Sequence, residues 1–212
     1  MLRYKHLLLI YYQMDYKEKK NLYKCRKTVL EMLTDRKYDV PANFQISFED
    51  FLLLLDENNL DIHMIKEGKQ PVFVRFLYDF NKNLTKKDLD GFLEEIIEKT
   101  QDPNIHTILV LRNTPSKNNL EMLSKVENIE VFSMDSLCFN PVKHYLVPQH
   151  ILLTEDEQQE LFKKYRCTKA QLPKLNKNDR IARHYGMQSG DICKIIRKSP
   201  SMGESIYYRH VR

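Results

Sequence analysis

Between Pro71 and Phe80 the chain alternates strictly: Val72, Val74, Phe76, Tyr78 and Phe80 are interleaved with Phe73, Arg75, Leu77 and Asp79. Successive side chains of an extended backbone point to opposite faces, so this spacing predicts a strand with one wholly apolar face. Further strands come after it. Thr85-Lys-Lys-Asp88 is a capping signal for a helix running to about Lys99, Ile105 to Leu111 is a β-branched strand, Pro115 to Val126 a helix, and Ile129 to Ser133 another strand. Strands separated by helices make parallel neighbours, and the alternation predicts a small sheet covered by helices.

Two helices precede the sheet. Tyr16 to Arg36 places Leu22, Val29, Leu30 and Leu33 on one stripe and Lys19, Lys20, Lys24 and Lys27 away from it. Ser47-Phe-Glu-Asp50 has the spacing of a capping box ahead of Phe51-Leu-Leu-Leu-Leu55. Asn140-Pro141 marks a boundary, which predicts one domain over residues 1–140 and a second over 141–212. The second half opens with an extended piece ending at Pro148, then a helix capped by Thr154 and Glu157 and a short helix from Asp179 stopped by Gly186. Two closing strands complete it, Ile192 to Arg197 and Ser205 to Val211, around a loop with Pro200 and Gly203.

Composition narrows the function classes. The apolar run Leu7 to Tyr12 is too short for a secretory or membrane-spanning segment, and an intracellular protein without membrane contact is expected. Cys25, Cys138, Cys167 and Cys193 include no Cys-x-x-Cys pair, so buried free thiols are expected rather than a zinc ribbon or a disulfide framework. The net charge of +5 is uneven: residues 1–143 balance at −1 and residues 144–212 at +6. A basic second half suits phosphates or an acidic protein surface.

Catalytic readings find little support. Five glycines form no phosphate-cradling loop. A metal-dependent nuclease needs carboxylates on adjacent strand ends, and after Asp79 the strand Ile105 to Arg112 has none. Glu94, Glu95 and Glu98 read as a solvated helix face. His144 and His150, either side of Pro148, read as hydrogen-bonding packing residues, because an extended segment would hold them about 20 Å apart. No catalytic residue, metal or cofactor is expected. Two segments could meet a polyanion: the Lys17-to-Lys27 helix face, diluted by Asp15, Glu18 and Glu31, and Arg112-Asn-Thr-Pro-Ser-Lys117, where a strand gives way to a helix start with free amide donors. Pure helix capping explains the second segment equally well. In the second half, Arg183, Lys194, Arg197 and Arg209 interleave with Tyr185, Tyr207 and Tyr208, residue types shared by protein interface cores and nucleic-acid grooves.

The order His144-x-Leu-Val-Pro-x-His150, Gln171-Leu-Pro173, Asp179, Ala182-Arg183, Gly186, Lys194-Ile-Ile-Arg197, Ser199, Gly203 and Tyr208-Arg209 resembles the domain that the fifth common subunit of eukaryotic RNA polymerases shares with its shorter archaeal counterpart. Residues 1–140 resemble the eukaryotic version more loosely, through the Arg26-to-Tyr38 helix end, Phe48-Glu-Asp-Phe51 and Thr114-Pro-Ser116. Arg180 departs from the proline usual after the aspartate, Ser201-Met202 from the usual pair before Gly203, and Lys117 from the usual small residue.

The resemblance implies an α/β protein, mixed α+β overall: an N-terminal jaw similar to restriction endonucleases without their active site, plus a small α+β assembly domain. It implies a non-catalytic polymerase subunit, not a homo-oligomer, whose partners are the largest polymerase subunit, other polymerase subunits and downstream duplex DNA. The DNA-proximal residues would be Arg112, Thr114, Pro115, Ser116 and Lys117. The partner-binding residues would be His144, Val147, Pro148, His150, Leu172, Pro173, Arg183, Tyr185, Lys194, Arg197, Tyr208 and Arg209. Its place would be the nucleus, or a virion or cytoplasmic virus factory if a large DNA virus encodes it. The competing expectation is a free-standing nucleic-acid-binding or nuclease-like protein.

Overall fold

The computed structural model describes residues 14–57, 59–66, 68–78, 85–114, 116, 126, 128–199 and 203–212. The chain divides into two compact units, one ending at Phe139 and one beginning at Asn140. Each carries a four-stranded sheet.

In the first unit, helix α1 (Tyr16–Asp35) starts from a reciprocal cap: the Asp15 side chain accepts from the Glu18 amide at 2.6 Å. Helix α2 (Phe48–Asp56) starts at Ser47, whose side chain accepts from the Asp50 amide. The box is incomplete. The Asp50 carboxylate accepts from the Ser47 hydroxyl at 2.8 Å, where a full box would have it take the Ser47 amide.

The sheet order is β1 (Ile62–Lys66), β2 (Lys69–Leu77), β3 (His106–Leu111) and β4 (Ile129–Ser133). The expected parallel core is present: Val72 to Leu77 pairs with His106 to Leu111, and Thr107 to Leu111 with Ile129 to Ser133. Sequence reasoning missed β1, an antiparallel edge strand. The β1–β2 register slips between Met64 and Lys66, so Pro71, which has no amide to donate, lies opposite the irregularity.

The wholly apolar face expected for β2 is present, and the opposite face, with Phe73, Arg75 and Leu77, is buried as well. Val72, Val74, Phe76 and Tyr78 join Ile108, Val110 and Phe132 under α1 and α2. Phe73 and Leu77 join Leu109, Leu111 and Val131. They lie under Leu89 and Ile96 of helix α3 (Lys86–Thr100). A sheet with helices on both faces buries its central strands completely. Thr85 and Asp88 cap α3 reciprocally, as their spacing requires. After β4 comes the short helix α4 (Met134–Leu137). The Leu7–Tyr12 run, Asp79 and Phe80, and all but a few residues of the expected Pro115–Val126 helix lie outside the described residues.

In the second unit a 3-10 turn (Pro141–Lys143) leads to residues 144–148, which are not extended as expected. The Val147 amide donates to the His144 carbonyl at 2.9 Å and closes a turn. Strand β5 (Gln149–Leu152) begins only after Pro148. Helix α5 (Glu155–Tyr165) has the Thr154–Glu157 cap. Strand β6 (Lys174–Leu175) and helix α6 (Arg180–His184) come next, and then the hairpin β7 (Ile192–Ser199) and β8 (Gly203–Val211). The sheet order is β5-β7-β8-β6.

Asp179 caps α6 through the Ile181 amide at 2.8 Å, so the helix starts where expected with Arg180 in its first position. At its end the Gly186 amide donates to the Arg183 carbonyl and the Met187 amide to the Ala182 carbonyl. This termination needs a left-handed residue, and Gly186 has φ of +65°. Gly203, expected in the loop, is the first residue of β8, with φ of +72° opposite Ser199. Cys193, Ile195 and Val211 pack with Ala182 and Met187 on one face of this sheet, while Ile192 packs with Leu153 and Leu161 on the other.

Candidate nucleic-acid and partner interfaces

The first candidate site comes directly after β3. Thr114 and Ser116 are exposed, while Pro115 and Lys117 lie outside the described residues. Arg112 is half-buried, and its guanidinium donates to the Glu18 carboxylate at the start of α1. That pair ties the end of β3 to the first turn of α1 and commits to an internal ion pair a charge expected to face phosphate. The exposed described side chains here are the Asn113 amide and the Thr114 and Ser116 hydroxyls. On α1, Lys17, Lys20, Lys24 and Lys27 are exposed on the side away from the core, and the Lys20 ammonium lies 4.7 Å from the Tyr16 ring centroid.

Sequence reasoning missed two buried charge clusters in the first unit. Arg36, after α1, donates through both terminal nitrogens to Glu130 of β4 at 2.7 and 2.8 Å, and His106 Nε2 of β3 is 2.8 Å from the same carboxylate. Burial alone would raise the Glu130 carboxyl, but the His106 hydrogen bond and the Arg36 charge outweigh it and hold the group at about 2. On the other face of the sheet, Arg75 donates to Glu95 at 2.9 Å and to Asp61 at 3.1 Å, and Lys99 reaches Asp61 at 3.0 Å. Glu95 is thus a partner of Arg75, not part of a merely solvated face. Glu130 is the acidic residue within β2, β3 and β4, and Arg36 and His106 occupy it. Among the described residues no group of three His, Cys, Asp or Glu side chains is arranged to hold a metal.

The second unit separates the expected partner-binding residues by register. His150 pairs with Ile195, which pairs with Tyr207; Cys193 pairs with Arg209, and Arg197 with Ser205. Paired residues share a face, and so do residues two apart along a strand. His150, Arg197, Tyr207 and Arg209 therefore lie on one face, and the Arg197 guanidinium is 5.3 Å from the Tyr207 ring centroid. His150 Nδ1 lies 2.7 Å from the Pro148 carbonyl. Burial lowers the His150 pKa, and the nearby Arg209 and Arg197 charges push the same way. Lys194 and Tyr208 pair with each other on the opposite face. There Tyr208 packs with the Leu153, Leu161 and Ile192 cluster, and its ring centroid is 5.7 Å from that of Tyr165.

Other expected residues also serve the fold. Leu172 joins the Leu153 cluster and Tyr185 the Leu175 cluster, while Arg183 is half-buried and Pro173 exposed. His144 is not a packing residue: it is exposed, accepts the Leu146 amide at 3.3 Å through Nδ1, and stacks on Tyr145 with ring centroids 5.0 Å apart. Val147 and Pro148 are half-buried beside it. Tyr145 and Leu146, 87% and 69% exposed, were not anticipated as an apolar turn tip, whereas Tyr207, expected among the interface residues, is exposed.

Two family models match consecutive stretches of the chain: the RNA polymerase Rpb5 N-terminal domain over residues 16–138 and the RNA polymerase Rpb5 C-terminal domain over residues 139–211. The chain is 34% identical over 193 residues to DNA-directed RNA polymerases I, II, and III subunit rpabc1 of Dictyostelium discoideum, covering 89% of this chain and 95% of that one. It is 30% identical over 220 residues to the subunit RPABC1 of Caenorhabditis briggsae, covering 93% and 98%. To DNA-directed RNA polymerase V subunit 5A of Arabidopsis thaliana it is 28% identical over 192 residues, covering 87% and 85%. With both domain models matched in order along nearly the whole chain, this protein belongs to the RNA polymerase Rpb5 family.

Proposed function

We propose that the chain is a non-catalytic subunit of a multisubunit DNA-directed RNA polymerase. Its second unit docks on the largest subunit, and its first unit is a jaw beside downstream duplex DNA, related in fold to restriction endonucleases. The reading rests chiefly on the unbroken match to both Rpb5 domains, reinforced by relatives named as polymerase subunits. The charge arrangement in the first unit agrees with it. Glu130, the carboxylate within the parallel strands, is held by an arginine and a histidine, an arrangement that maintains a fold.

For docking, the face with His150, Arg197, Tyr207 and Arg209 has the composition of an interface anchor, since arginine and tyrosine concentrate binding energy where they become desolvated. His144, Val147 and Pro148 with the Tyr145–Leu146 tip extend the surface available for contact. For the jaw, Thr114 and Ser116 offer hydroxyls to backbone phosphates, with Pro115 and Lys117 beside them in the chain, while Arg112 positions the segment through Glu18. Contacts of this kind hold a duplex without reading its sequence. With polymerase as its partner the chain works in the nucleus of a cellular host, or in a virion or virus factory if viral.

The deciding experiment is native mass measurement after tagging the chain in its source cell. Recovery in one stable particle with two very large polymerase chains is the expected result. Recovery as a free protein overturns the proposal in favour of a free-standing nucleic-acid-binding protein.

A further inference from the structure

Cys25 and Cys138 are 113 positions apart in the chain, yet their sulfurs lie 3.8 Å apart. Cys25 is on α1 and fully buried, and its thiol donates to the Met134 carbonyl at 3.1 Å. Cys138 comes directly after α4 and is partly open to solvent. Buried lone thiols usually fill space among hydrocarbon side chains. Here the two sulfurs are in van der Waals contact with one another, and a rearrangement of about 2 Å brings them to bonding distance.

We propose that Cys25 and Cys138 form a reversible oxidation site, a dithiol that a peroxide-class two-electron oxidant converts to a disulfide. Cys138, open to solvent, is attacked first. Its sulfur displaces water from the peroxide as the O–O bond breaks, leaving a sulfenic acid. The Cys25 sulfur then attacks the Cys138 sulfur, the S–O bond breaks, and a second water leaves with the Cys25 proton. Two thiols and one peroxide thus become one disulfide and two waters, and any thiol reductant reverses the change by exchange. Burial, together with the neighbouring Cys138, raises the Cys25 pKa. The order of events follows from access: Cys138 is the sulfur open to solvent and is oxidised first, and Cys25, buried against it, resolves as its proton leaves.

The bond has a structural consequence. It would staple α1 to the corner after β4 and α4, where the first unit ends. Opening of α1 away from the sheet is then prevented in the oxidised chain and allowed in the reduced one.

The test uses the full-length reduced chain, treated with stoichiometric hydrogen peroxide, alkylated, and digested without reductant. The expected product is a linked peptide pair containing Cys25 and Cys138, lighter by two hydrogens, while Cys167 and Cys193 are recovered alkylated after unfolding. Oxidation should raise Tm by about 5–15 °C, reversibly with dithiothreitol, because it cross-links a long loop. It should also slow amide exchange along α1. Cys138→Ser should lose both the link and the thermal gain, and Cys167→Ser should lose neither. Recovery of Cys25 and Cys138 as two alkylated thiols after peroxide, or of Cys138 as sulfinic acid without a link, overturns the proposal.

Discussion

Arg36 and Glu130, 94 positions apart, meet as a two-pronged ion pair that joins the end of α1 to β4. Their side chains are only 7% and 18% exposed, so the guanidinium and the carboxylate have each exchanged water for the other. Glu130 is held near 2 against an ordinary value of 4.5. A carboxyl depressed in the folded state stabilises fully above its unfolded pKa and loses that contribution as pH falls through the folded value.

The chain should therefore lose stability between roughly pH 5 and pH 2, with this group contributing about 3 kcal/mol. Glu130→Gln should lower Tm at pH 7, because Arg36 loses its Glu130 partner, and should flatten the acid limb of the stability curve. Thermal melts of both proteins from pH 2 to pH 7 measure this. Parallel acid limbs would show that Glu130 titrates normally.

Arg75 links two elements that lie far apart in sequence, Asp61 before β1 and Glu95 on α3, with its own side chain 8% exposed. Arg75→Ala removes the charge that both acids face and opens a gap beneath α3, and should cost about 3–5 kcal/mol. Glu95→Gln, at the more exposed end of the cluster, should cost about 1 kcal/mol or less. Denaturant unfolding of the two variants gives the ratio.

Phe51 of α2 is fully buried, while Leu53 of the same helix is 63% exposed. Phe51→Ala should destabilise by about 3–5 kcal/mol through the cavity it leaves. Leu53→Ala should fall within about 0.5 kcal/mol of the parent. Urea titrations of the two variants test which side of α2 faces the core.

In the second unit, Arg197→Glu and Tyr207→Ala should weaken incorporation into the polymerase on the order of 2 kcal/mol each, with the fold intact. Tyr208→Ala is a poorer probe of docking because Tyr208 also packs against Leu161 and Tyr165 within its own unit. Co-purification, read beside the melting temperature of each free variant, separates lost docking from lost folding. Normal recovery of both Arg197→Glu and Tyr207→Ala removes this face from the docking surface.

For the proposed jaw, replacing Ser116 and Lys117 with Glu adds negative charge to the segment proposed to meet phosphate. The salt slope of downstream DNA binding by the assembled polymerase should fall by about one unit per lost phosphate contact, without a change in sequence preference. An unchanged slope would make the segment an ordinary helix cap. Arg112→Ala should act differently, through stability, since its charge is paired with Glu18.

The features legible in the sequence are those whose cause lies within a few residues. Thr85 with Asp88 and Thr154 with Glu157 close reciprocal caps because a helix brings residues three apart to the same amides. Gly186 ends α6 because the termination requires a positive φ. The parallel pairing of β2 with β3 comes from two strands joined through helix α3. The ordered motifs from His144 to Arg209 carried the family on their own. What tertiary structure decided are the relations that span long separations or depend on register. Strand β1 is five residues long, with His63 and Ile65 exposed on the face opposite Ile62 and Met64, a pattern too brief to separate from a loop until β2 pairs with it. Arg36 finds Glu130 and Cys25 finds Cys138 only because α1 lies across the sheet whose last strand comes about a hundred positions later. Side chains alternate along a strand, so only the β7–β8 register could place Arg197 and Tyr207 on one face and Lys194 and Tyr208 on the other.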